Sequence, residues 1–217
     1  MQIPGSHHAD IHVFAGFGAL LAHASRDAII AVDIPIGLSD AAPRAADRAA
    51  RQFLGRRGSS VFPAPPRAAL HASDYHDASA RAFAASGKKL SRQSFNILPK
   101  IREVDAALRH DPDVATRVFE VHPEVSFAVR NGDLPMSEAK KSPAGRAARL
   151  ALLPGWASSA YQRALEETRR RDVAHDDIID ALIALWSAAR IAEGEARRFP
   201  AGGIVRDAAG LPMCIHA

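Results

Sequence analysis

Residues 28 to 32, AIIAV, form an apolar run rich in β-branched side chains and free of charge, as a central strand covered on both faces requires. The run stops at Asp33, and Pro35 and Gly37 turn the chain away. A second strand is predicted at about 116 to 121. It lies within RVFEVHPEVSF (117–127), which reads as a buried strand yet carries Glu120, His122 and Glu124. IHVF at 11–14 is a shorter strand candidate, and the GFGALLAHA that follows has the spacing of a helix of about two turns.

Helical periodicity dominates elsewhere. PRAADRAARQFL (43–54) reads as a helix with arginines on its exposed face, and a Gly- and Pro-punctuated loop, GRRGSSVFPAPPRAAL, follows. Further helices are predicted at about 71 to 86 and 96 to 109. SEAKKSPAGRAARLALL and ASSAYQRALEETRRR read as two more, split by Pro154 and Gly155. HDDIIDALIALWSAARIAEG is the strongest helix, apolar nearly all round its middle and stopped at Gly194. The tail GGIVRDAAGLPMCIHA suits a terminal hairpin. Strands interleaved with helices, without repeats or a linker, predict one helix-rich α/β domain over 1–217.

Composition narrows the function classes. With 47% hydrophobic and 24% charged residues, disorder is not the default. The single Cys214 excludes an internal disulfide or a cysteine-rich zinc site, and no window approaches a membrane span, so a cytoplasmic protein is expected. The net charge of +4 is compatible with a polyanionic partner but does not require one.

The candidate chemistry lies in acids at the edges of apolar elements. Asp33 ends one strand, Glu120 ends another, and Asp177 and Asp180 lie three apart at the start of the long helix, on one face. Carboxylates gathered from separate elements suit magnesium or manganese, which prefer hard oxygen donors. Each acid also has a plainer reading. Asp177 and Asp180 can serve the helix dipole and cap, Asp33 can bond loop amides, and Glu120 can pair with an arginine. Glu124, beyond Pro123, reads as local structure. No P-loop, HExxH or GxSxG motif occurs.

Five ordered blocks carry a resemblance: AVDIPIGL, GRRGSSVFPAPPR, LSRQSFNILPKIREVD, FEVHPEVSFA and DDIIDALIALWSAARIAEG. They resemble successive blocks of the family catalogued as domain of unknown function 429, whose members are predicted nucleases of ribonuclease H-like fold. The last block also resembles the acidic helix of Holliday-junction resolvases, in which a D-x-x-D-A pattern carries metal ligands. The resemblance implies a mixed sheet flanked by helices, with a helical insertion at about 41–110 between the two main strands. It implies Asp33, Glu120, Asp177 and Asp180 as catalytic metal ligands for Mg2+ or Mn2+, and nucleic acid, DNA or RNA, as substrate. Arg56, Arg57 and Lys100 are the candidates for neutralising phosphate. Gln93, Glu103 and Asp105 fall in a family block without an assigned role.

Family members usually begin with a hairpin whose first strand carries a metal-binding aspartate. Here IHVF resembles the third strand, so the first two strands are expected to be missing and Asp10 is a poor substitute by position. An exposed strand edge beside AIIAV then predicts a homodimer or a strand supplied by the chain terminus. The expected function is a divalent-metal-dependent nuclease. The competing expectations are an inactive binding or scaffold protein on the same fold and, third, a small-molecule phosphoesterase.

Overall fold

The structure is a computed structural model describing residues 9–41, 43–169 and 171–217. Its centre is a four-stranded mixed sheet built from β1 (Ile30–Val32), β2 (Val118–Val121), β3 (Arg198–Phe199) and β4 (Ile215–His216). The strand order is β1-β2-β4-β3. β1, β2 and β4 run parallel, with Ile30 opposite Val118 and Glu120 opposite Ile215, and β3 pairs antiparallel with β4. Among the described residues, β1 lies at one edge.

Ahead of the sheet, α1 (Phe17–His23) forms as its spacing predicts. IHVF at 11–14 is not a strand, and this corrects the expectation. Four residues offer too little alternation to secure a register. The rings of His12 and Phe14 instead pack beside that of His23 on α1, with centroids 4.4 and 5.3 Å away.

Between β1 and β2 the chain is helical: α2 (Ala45–Leu54), a 3-10 turn at Gly55–Ser60, α3 (Tyr75–Ser86), α4 (Arg92–Asn96), α5 (Leu98–His110) and α6 (Pro112–Arg117). Local chemistry starts these helices. Asp74, Ser91 and Asp111 accept hydrogen bonds from first-turn amides, and Pro112 pre-sets φ at the first position of α6. RVFEVHPEVSF divides at His122 into β2 and α7 (Pro123–Arg130), so only its first part is strand. The proline supplies the break, since it fits a first helical turn but offers no N–H to a ladder.

After α7 come α8 (Pro143–Leu152), α9 (Gly155–Glu167) and α10 (His175–Ala192). Ile30 and Val32 pack with Phe17, Val104, Leu108 and Val118. The two-residue period of a strand turns Ala31, and Asp33 after it, to the other face, where α10 packs on β1. Ile178, Ile179, Leu182 and Ile183 of α10 form a core with Phe127 of α7 and the alanines of α9. Among the described residues, no helix is long and apolar enough to cross a membrane.

Candidate active-site cleft

The main cleft, of about 570 Å³, opens at the C-terminal ends of the parallel strands β1 and β2. That is where α/β sheets leave a crevice, because the chain departs from adjacent strands in different directions. β1 delivers Asp33, β2 delivers Glu120 and His122, and α10 delivers Asp176 and Asp180 from its first two turns. The loop before α8 adds Lys140 and Lys141, and the 3-10 turn adds Arg57 and Ser60.

Lys140 organises the acids. Its Nζ is 2.9 Å from Asp180 Oδ2 and 3.6 Å from Asp176 Oδ2, and it also feels the charge of Asp33. Burial works against the ammonium, but the three carboxylates outweigh it and hold Lys140 above the ordinary lysine range. Asp33 is crowded by protein, which pushes its carboxyl up to about 6 against the pull of Lys140. Water still reaches Asp33 through the cleft mouth and opposes that rise. Burial likewise pushes Asp180 up to about 6, opposed by its bond to Lys140 and assisted by the negative charge of Asp33.

Glu120 has a different environment. Its two oxygens accept hydrogen bonds from Nη2 and Nη1 of Arg44, both at 2.7 Å, and Oε2 also accepts from Ile36 N at 2.7 Å. Arg44, only 3% exposed, donates in addition to Asp47 and to the carbonyls of Ile36 and Gly37. Asp47 also accepts from Ala64 N. This buried group ties the end of β2 to the loop after β1 and to the start of α2. Arg44 is therefore inside the protein, although the helix it opens shows Arg48 and Arg51 to solvent.

Glu124 is buried at the first turn of α7. Its Oε1 accepts from Arg149 Nη2 at 2.7 Å and Nε at 3.1 Å, while Arg57 Nη2 lies 3.8 Å from Oε2. His122 stands between these ion pairs. Burial lowers its pKa, keeping the imidazole neutral, and Nε2 lies 3.3 Å from the carbonyl of Ser60. A carbonyl only accepts, so Nε2 carries the proton and Nδ1 holds a lone pair without a partner among the described residues.

Of the residues singled out in the sequence, Asp33, Glu120, Asp180 and Arg57 line this cleft. Asp177 does not line it: its carboxylate accepts from the Ala174 amide and serves the start of α10, so Asp176 is the helical partner of Asp180 in the cleft. Arg56 and Lys100 are exposed and lie outside the lining, while Gln93 lies within it. Glu103 accepts from Gly18 N, and Asp105 pairs with Arg67 at 2.9 Å. Arg44, Lys140 and Asp176 carry the site without having been picked out. A buried arginine at a helix start and a loop lysine leave no periodic trace.

The fit to a divalent ion rests on two carboxylates. Among the described residues no three Asp, Glu, His or Cys side chains gather closely enough to hold a metal. Magnesium, however, is commonly held by one or two protein carboxylates, with water and substrate phosphate completing its shell. Asp33 and Asp180, which both line the cleft, would supply that donor set, and the Lys140 ammonium holds the cation position at Asp180. Glu120 does not join them, because Arg44 occupies both of its oxygens.

A family model described as a protein of unknown function (DUF429) matches residues 2–203. No curated protein and no solved structure matches the chain.

Proposed function

The chain belongs to the DUF429 family, and we propose that its cleft is the active site of a divalent-metal-dependent nuclease. The observation that carries this reading is that Asp33 and Asp180, from a strand end and a helix start, line one open cleft with Lys140, whose ammonium lies 2.9 Å from Asp180. Two like charges held together in a partly dry site repel each other and raise each other's proton affinity, which makes the pair a receptor for cations.

A magnesium or manganese ion held there would supply a Lewis acid for a phosphoryl oxygen and lower the pKa of an attacking water. The chain's own residues account for the remaining requirements. Asp33 and Asp180 are the ligands. Arg57 and Lys141, on the cleft lining, neutralise phosphates of the substrate backbone. The Arg44–Glu120–Asp47 group holds the two strand ends at a fixed separation, so that Asp33 is presented to α10 without rearrangement. The ribonuclease H-like architecture implied by the sequence blocks agrees with a site at parallel strand ends and is part of the proposal.

The test is a cleavage panel of single-stranded, duplex and branched DNA and RNA with Mn2+, comparing the parent with Asp33→Asn and Asp180→Asn. Cleavage by the parent, abolished in both variants, is the expected result. Cleavage unchanged in Asp33→Asn would overturn the site assignment. Binding of nucleic acid without cleavage of any substrate would instead support a non-catalytic scaffold.

A further inference from the structure

Two of the cations that meet acids in this cleft are held in opposite ways. Arg44 is enclosed, and all its donor nitrogens are engaged by Glu120, Asp47 and two backbone carbonyls. Lys140 is 38% exposed at its side chain and reaches Asp180 and Asp176 through one flexible stem. Its backbone is anchored nearby. Ser142 N and Oγ both donate to the carbonyl of Ala139, and Arg149 and Arg57 donate to that of Glu138. Rotation of the stem alone can therefore move the ammonium out into the cleft mouth, where a lysine head group is readily hydrated.

We infer that Lys140 is a displaceable counter-cation: its ammonium occupies the ion position at Asp180, and a divalent metal held by Asp180 and Asp33 enters only by expelling it. This rests on the reading of the cleft as a metal-dependent site. The reason is exclusion. An ammonium 2.9 Å from Asp180 Oδ2 fills the space in which a magnesium ion would sit at about 2.1 Å from the same oxygen. Like charges cannot share that space at such separations. Lys140 thus acts as a positioning residue. It keeps the like-charged Asp180 and Asp176 together in the metal-free protein and sets how strongly a metal must bind to replace it. Expelled, the ammonium remains beside Lys141 at the cleft mouth, where substrate phosphate would pass.

The experiment measures Mn2+ binding by calorimetry at pH 8 for the full chain, Lys140→Met and Lys140→Arg. Lys140→Met removes the competing charge at nearly constant length and should bind Mn2+ about tenfold more tightly or better. Lys140→Arg should bind no more tightly than the parent. A parallel measurement on the unmodified sequence guards against misfolding of a variant. In lysine-labelled protein, saturation with Mg2+ should shift the Lys140 side-chain resonance and leave that of Lys100 in place. Equal Mn2+ affinity in the parent and Lys140→Met, or an unmoved Lys140 resonance while Mg2+ binds, would overturn the inference and leave the nuclease reading standing. Tighter binding by Lys140→Met with no cleavage by any protein would support the inference and overturn the nuclease reading. Absence of Mn2+ binding by both proteins at millimolar concentration would overturn both.

Discussion

Arg44 grips both carboxylate oxygens of Glu120 at 2.7 Å, across 76 residues of chain, with neither side chain more than 5% exposed. An acid expected to bind metal is thereby part of the framework that locates the metal-binding acids. Burial pushes the Glu120 carboxyl up and the guanidinium pulls it down. Removing Arg44 leaves Glu120 and Asp47 without their counter-charge. Arg44→Met should therefore lose about 3–5 kcal/mol of stability, read from urea unfolding. Adding Glu120→Gln to Arg44→Met should recover part of that loss, since it removes one orphaned charge. An unchanged urea midpoint in Arg44→Met would refute the framework role.

Arg56 and Arg57 are adjacent, but only Arg57 faces the cleft. If phosphate passes there, Arg57→Ala should weaken nucleic-acid binding and reduce the dependence of log K on log salt by about one unit. Arg56→Ala should leave both within error of the parent. Equal effects of the two substitutions, measured by fluorescence anisotropy over a salt series, would indicate a diffuse surface attraction and no defined groove.

The raised carboxyls of Asp33 and Asp180 set a pH window. Each rises from the ordinary 3.8 to about 6. The folded protein therefore binds these protons more tightly than the unfolded chain does, and the two groups favour folding less as pH rises from about 4 to about 6. Cation binding has the opposite sign, because only the ionised pair attracts a metal. Mn2+ affinity should fall steeply as pH drops from 7 to 5, with the carbon-detected titration of Asp180 centred near 6 and that of Asp33 raised less, because water reaches it. Affinity that stays level over that range would place the metal on other acids.

The elements that position the site were largely legible, because burial leaves periodic traces. The AIIAV strand, the long final helix and the break at Pro123 all follow from local pattern. Partner choice was less legible. Asp176 and Asp177 are both close enough to Asp180 along a helix to share a face with it. The choice is made by the Ala174 amide, which engages Asp177, and by Lys140, which arrives from a loop 40 residues before Asp180. Asp33 and Asp180 could be nominated from their positions at element ends. The cation paired with Asp180 could not, since loop lysines resemble one another until the fold brings one inward.

The same limit applies to Asp207, which the tail sequence does not distinguish and whose side chain is fully enclosed. It accepts from Leu38 N at 2.8 Å and from Ala209 N and Leu211 N at 2.9 Å, and it pairs with Arg67, which also holds Asp105. The C-terminal loop is thus fastened to the segment that leaves Asp33. Burial raises the Asp207 carboxyl, but the bonds from Leu38, Arg67 and Leu211 outweigh it and leave the group below its ordinary value. A depressed carboxyl stabilises the fold fully above the ordinary 3.8, and that contribution disappears as pH falls through the lower folded value. Asp207→Asn keeps the shape and loses the charge, so it should cost about 1–3 kcal/mol at pH 7. The deficit should shrink progressively below pH 4, where the parent loses the same contribution by protonation. Urea unfolding of both proteins at pH 7 and pH 3 checks this. A deficit equal at the two pH values would show that the amide disturbs packing and that the carboxylate charge does not hold the loop.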